Sequence, residues 1–219
     1  MIFLNARAGR GILVGVCCLV LMASPWAWSL EPADGLIEVT SENVPGVVLD
    51  LRYASERNIT GRKIYSDGHA WLRRETIQKL AKVARDLNER GYRLVVWDAW
   101  RPGYAQKVLW AAKPDGRFLT PPSKISRHRR GTSVDVTLAD KSGKILDMPS
   151  DHDEFNAKAD EDFSDVPKEV AKRARMLRNA MFAAGFSGVP DEWWHYDLRD
   201  WGSYEPIDRK GVGDSGQLS

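Results

Sequence analysis

Cysteine is nearly missing from this chain. Two of 219 residues are cysteine, Cys17 and Cys18, and both lie in the apolar run formed by residues 11–23. The rest of the chain can therefore carry neither a disulfide framework nor thiol catalysis. Long hydrophobic runs are missing too, since this thirteen-residue stretch falls short of the about 20 residues that a membrane span needs. No charge excess marks the body of the chain. Beyond Arg7 and Arg10, 30 basic residues face 30 acidic ones, and no basic stripe with interleaved aromatics appears. Phosphate neutralisation supplies most nucleic-acid affinity, so no nucleic-acid partner is expected. The local run Lys124, Arg127, Arg129, Arg130 is interrupted by His128 and closed by Gly131. Repeats, low-complexity blocks and long Pro/Gly/Ser linkers are absent, which argues against several domains.

What is present is the composition of a folded globular protein: 43% hydrophobic, 28% charged, with nine tryptophans. Arg7 and Arg10 precede the apolar run, which ends in Ser24-Pro25 with small residues at Ala27 and Ser29. This layout predicts a secretory signal peptide over residues 1–29, cleaved after Ser29, and one domain over residues 30–219. An uncleaved anchor and lipid attachment at the cysteines are the alternatives. A branched Val16 before Cys17 and the mid-run position of both cysteines speak against lipid attachment. Export places the protein outside the cytoplasm, in a periplasm where there is one, with no stable membrane insertion after cleavage.

Residues 74–90 predict a helix, with Ile77, Leu80, Ala84 and Leu87 on one face and Gly91 as a left-handed stop. Residues 93–99 read as a strand and 104–112 as a short helix, separated by Arg101-Pro102-Gly103. Residues 134–138 read as a second strand, 166–184 as a helix starting at Pro167 and stopping at Gly185, and 193–198 as the closing strand. Helices and strands interleave without a regular βαβ rhythm. The prediction is an α+β single domain, a largely antiparallel sheet packed by helices with the functional site at the sheet edge.

The chain has four histidines: His69, His128, His152 and His195. His128 and Asp135 flank a turn at Gly131 that lets a loop imidazole and a strand carboxylate converge. Alone, this spacing fits an ordinary structural histidine. The second motif, Glu192-Trp193-Trp194-His195, adds another imidazole and a candidate general base. Two imidazoles and one carboxylate suffice for a catalytic zinc, which keeps an open position for water. In an ideal strand, side chains three apart face opposite ways, so Glu192 is expected on a turn and only His195 in the strand. Tryptophans beside Glu192 reduce its solvation and raise its pKa. In Trp97-Asp98-Ala99-Trp100-Arg101-Pro102, Arg101 forms a surface ion pair with Asp98, or meets an oxyanion or a substrate carboxylate.

Together these motifs resemble the VanX-like D-alanyl-D-alanine dipeptidases, zinc peptidases of bacterial cell-wall metabolism related to D,D-carboxypeptidases. The resemblance runs over about residues 47–200 and includes Tyr53-Ala54-Ser55 followed by Asn58 and Gly61. It implies one zinc ion per chain held by His128, Asp135 and His195, with Glu192 as catalytic base and Arg101 as transition-state stabiliser. It also implies that Asp153 receives the free amino group of a D-Ala-D-Ala substrate, with Ser126 and Tyr53 lining the substrate pocket. Arg127 and Arg129 stand where the family usually has smaller side chains, and Ile59 where an aromatic is common. His152 and His69 are assigned loop positions outside the ligand set, His69 exposed. The expected activity is dipeptide hydrolysis by zinc-activated water. A D,D- or L,D-carboxypeptidase trimming peptidoglycan stems, or a wall-binding module without turnover, are the rival readings.

Overall fold

The apolar stripe of residues 74–90 becomes helix α1 (Arg74–Glu89), with Ile77, Leu80, Ala84 and Leu87 all fully buried. It stops where the sequence places the stop, at Gly91 with φ +86°. In the computed structural model, which describes residues 34–208, the remaining elements follow in order. They are strands β1 (Leu36–Glu38), β2 (Val48–Leu49) and β3 (Trp71–Arg73) before α1, then β4 (Tyr92–Asp98), α2 (Gly103–Ala112) and β5 (Ser133–Asp140). Helix α3 (Lys168–Ala184), β6 (Phe186–Val189) and β7 (Glu192–Leu198) complete them. The predicted signal peptide and both cysteines lie outside the described residues. Among the described residues no helix is long and apolar enough to cross a membrane.

Strands β2-β4-β5-β7-β6 form one sheet in that order, antiparallel except for the β2–β4 pair, and β1 pairs with β3 in a separate ribbon. The α+β architecture with a largely antiparallel sheet is as expected. Helix α1 packs on β4 and α3, and α3 on β6. Strand β5 is buried along nearly its whole length, and its alternation separates Val134, Val136 and Leu138 from Ser133, Asp135 and Thr137.

Cross-strand pairing aligns Asp98 of β4 with Asp135 of β5, and Asp135 with His195 of β7. This polar row crosses the three interior strands, from the end of β4 through the start of β5 to the middle of β7, so the site lies on the inner strands and not at the expected sheet edge. The register is irregular on both sides of it. One break falls between Val96 and Asp98, and another between Gly188 and Val189, which pair with Tyr196 and Glu192 respectively. Bulges of this kind re-aim side chains near functional sites.

The second break corrects one expectation. Glu192 does not sit on a turn upstream; it opens β7 itself. Because β6 advances one residue while β7 advances four, strict alternation fails, and the Glu192 carboxylate comes 3.8 Å from His195 Nδ1.

His128 rides on a short 3-10 turn, Arg127–Arg130, closed by Gly131 with φ +70°. A Cβ at Gly131 would stand 2.7 Å from the buried Leu36 side chain, and the Gly131 carbonyl accepts from Arg73 N and Thr76 Oγ1. Gly131→Ala is therefore expected to destabilise the fold by about 1–3 kcal/mol, read from denaturant unfolding. Unchanged stability would show that this turn is not conformationally restrained.

Candidate active site

Three ligand atoms form a compact buried triangle. His128 Nε2 lies 3.1 Å from His195 Nδ1, His195 Nδ1 lies 3.0 Å from Asp135 Oδ1, and His128 Nε2 lies 3.4 Å from Asp135 Oδ1. His128 Nδ1 donates to the Ala99 carbonyl at 2.7 Å, and His195 Nε2 donates to Asp197 Oδ1 at 3.0 Å. Both acceptors lack protons, so each neutral ring turns its lone pair toward the triangle. Three acceptors then face one another, an arrangement that a cation relieves. Tetrahedral zinc with bonds of about 2.0–2.1 Å separates its ligands by about 3.3 Å, so donor types and spacing both fit zinc.

A carboxylate behind a ligating imidazole fixes its tautomer and orientation. Asp197, paired in register with Ser133, accepts from Ser133 Oγ at 2.5 Å and meets Arg127 Nη1 at 2.6 Å. Arg127, one of the residues departing from the resembled pattern, thus anchors the group behind His195. Burial notwithstanding, His195 and Ser133 hold the Asp197 carboxyl low.

Around the triangle lies a cleft of about 380 Å³ whose lining includes Arg101, Ser126, Asp153, Glu192 and Trp194. Burial pushes the Glu192 carboxyl up to about 8. A cation in the neighbouring triangle favours the ionised form. Arg101 does pair with Asp98, Nη2 to Oδ2 at 2.8 Å, but the pair is buried and not on the surface. Arg101 Nη1 donates to Gln106 Oε1 at 3.0 Å, and Nη2 reaches Asp135 Oδ2 at 3.4 Å, so the guanidinium is aimed at the triangle. Gln106 Nε2 donates in turn to the Thr120 carbonyl at 2.8 Å, tying Arg101 to a loop that lines the cleft. Asp153, buried with φ +57°, accepts from Tyr53 OH at 2.7 Å.

The geometry is that of a metallohydrolase, and the comparisons agree. A family model described as Peptidase_M15, D-ala-D-ala dipeptidase, matches residues 34–210. The chain belongs to this family. A D-alanyl-D-alanine dipeptidase of Escherichia coli (strain K12) is 40% identical over 161 residues, 73% of this chain and 83% of its own. One from Streptomyces coelicolor is 31% identical over 182 residues, 73% of this chain and 89% of its own. A solved LD-carboxypeptidase is 15% identical with a TM-score of 0.45, covering 79% of this chain and 72% of its own.

In this M15 peptidase, a hydrolase, the structure gathers all eight residues singled out from the sequence, with Tyr53 reaching the cleft through Asp153. Two further residues, Gln106 and Asp197, carry no signal in the sequence reading, and His152 is placed there only as a loop residue outside the ligand set. His152 does lie on a loop, but its ring is fully buried and Nε2 lies 3.0 Å from Asp135 Oδ2. Its surroundings come from distant parts of the chain, Asp135 and the Tyr53, Trp97 and Trp194 rings, so local sequence does not reveal the burial. His69 is exposed as expected, with Nδ1 2.6 Å from Glu38 Oε1.

Asp197→Ala removes the acceptor behind His195, and zinc affinity measured by chelator competition is expected to fall about 10–100-fold. Unchanged affinity would remove Asp197 from the support of the site.

Proposed function

We propose that this M15 peptidase is an exported zinc dipeptidase that hydrolyses free D-Ala-D-Ala. The observation that carries the reading is that the Glu192 carboxylate and the Arg101 guanidinium flank one buried His128–Asp135–His195 triangle inside one cleft. Zinc held by these three residues supplies a Lewis acid and lowers the pKa of water to about 7. Glu192 takes a proton from the water that attacks the peptide carbonyl, and Arg101 offsets the charge developing on the carbonyl oxygen. Glu192 then returns the proton to the leaving nitrogen as the C–N bond breaks, giving two molecules of D-alanine.

Asp153 and Tyr53 support the dipeptide preference. The buried Asp153 carboxylate holds the substrate's ammonium, while an N-acylated peptide brings no charge there and leaves a buried acid poorly compensated. Ser126, buried at the cleft wall, is assigned to the substrate pocket. The small polar cleft suits a dipeptide of small residues. The predicted signal peptide supports export, placing the mature chain where cell-wall fragments arise.

Glu192→Ala is expected to lose activity by about 10²–10⁴-fold while still binding zinc in a stoichiometric assay; equal activity in the two proteins would remove Glu192 from the mechanism. Free D-Ala-D-Ala is expected to be cleaved about 10²-fold or more faster than its N-acetyl derivative, and chelation to abolish turnover. Equal rates would favour the carboxypeptidase reading. N-terminal sequencing of the protein recovered from the cell envelope is expected to start at Leu30, and a chain retaining residues 1–29 would contradict cleaved export.

A further inference from the structure

Asp135 divides its two oxygens between different partners. Oδ1 faces His128 and His195, whereas Oδ2 faces His152 Nε2 at 3.0 Å and Arg101 Nη2 at 3.4 Å. A carboxylate only accepts, so His152 Nε2 donates. The His152 side chain is fully buried, and three aromatic rings box it in. Its centroid lies 5.3 Å from that of Tyr53, 5.5 Å from Trp97 and 5.8 Å from Trp194. The ring therefore has little freedom, and the bond it donates has a fixed direction.

From this we infer that His152 is a positioning residue for the metal carboxylate: it holds Asp135 so that Oδ1 is presented to the ligand triangle. The inference rests on the reading of His128, Asp135 and His195 as zinc ligands. Arg101 cannot do the same work, because its contact with Oδ2 is the longer one and its guanidinium is already fastened by Asp98 and Gln106. Nor is His152 a fourth ligand. Its Nε2 approaches the oxygen that faces Arg101, and a cation on that side would meet the guanidinium. The adjacent residue, Asp153, sits in a left-handed conformation at φ +57° and bonds Tyr53 OH. One tight turn thus supplies consecutive side chains to the two halves of the site, His152 to the metal half and Asp153 to the half assigned to the substrate amine.

The test compares His152→Phe and His152→Gln with the wild-type chain for zinc affinity by chelator competition, thermal stability and steady-state kinetics at saturating zinc. Phe keeps the ring volume and removes the donor; Gln offers a donor near the position of Nε2. His152→Phe is expected to weaken zinc binding about 10–100-fold and to lower kcat with KM for free D-Ala-D-Ala unchanged, while His152→Gln regains much of the affinity. A folded His152→Phe chain that binds zinc as tightly as wild type overturns the inference, and so does a Gln variant no better than Phe. If the Phe chain does not fold, His152→Gln against His152→Asn carries the same test, since the longer amide alone reaches Asp135; equal affinities overturn it. Wild-type protein that holds no zinc overturns the metal reading itself, a distinct result.

Discussion

The structure turns on one buried carboxylate. Asp135 sits inside a sheet where an unpaired charge would be very costly; an imidazole and a guanidinium donate to one of its oxygens, and the other faces the lone pairs of two further imidazoles, where a cation completes the compensation. Each of those partners arrives from a different part of the chain: a 3-10 turn, strand β7, the loop after β5 and the segment after β4. The sheet brings them together through the cross-strand register that puts Asp98, Asp135 and His195 in a single row. Register in a buried sheet cannot slip by one residue without turning every side chain to the other face. The chemistry of the site is therefore tied to the pairing of the core strands.

The groups behind the row follow the same logic of compensated burial. Asp197 faces His195, Ser133 and Arg127; Asp98 faces Arg101 and Tyr65, whose hydroxyl donates at 2.6 Å; Asp153 faces Tyr53. Buried acids that each have a donor make a stiff polar layer, and stiffness is what a metal site needs from its surroundings. Glu192 differs. Its carboxylate lies 3.8 Å from the His195 ring, and burial pushes its carboxyl up to about 8.

Much of this was legible before the fold was seen. Helices α1 and α3 announce themselves by a stripe of buried residues and a terminal glycine, and β4, β5 and β7 by runs of branched and aromatic residues. The short strands were not legible, because two or three residues such as Val48–Leu49 carry no period and gain their conformation from a partner far along the chain. The site residues were readable as motifs, since His128 to Asp135 and Glu192 to His195 are local. The loop position of His152, outside the ligand set, is legible in the sequence, but its burial against Asp135 is not. The rings that enclose it come from Tyr53, Trp97 and Trp194, far along the chain. Glu192 was misplaced because ideal alternation was assumed, and a break in β6–β7 pairing leaves no mark on local sequence.

Gln106 has a further consequence. Its single amide faces two ways, the oxygen toward the Arg101 guanidinium and the nitrogen toward the Thr120 carbonyl in the lining loop. A primary amide accepts on one side and donates on the other, whereas a carboxylate has no hydrogen to give and a hydrocarbon has nothing to offer either neighbour. One side chain thus joins the wall of the cleft to the guanidinium, so the placement of that wall and the alignment of the charge share a single fastening.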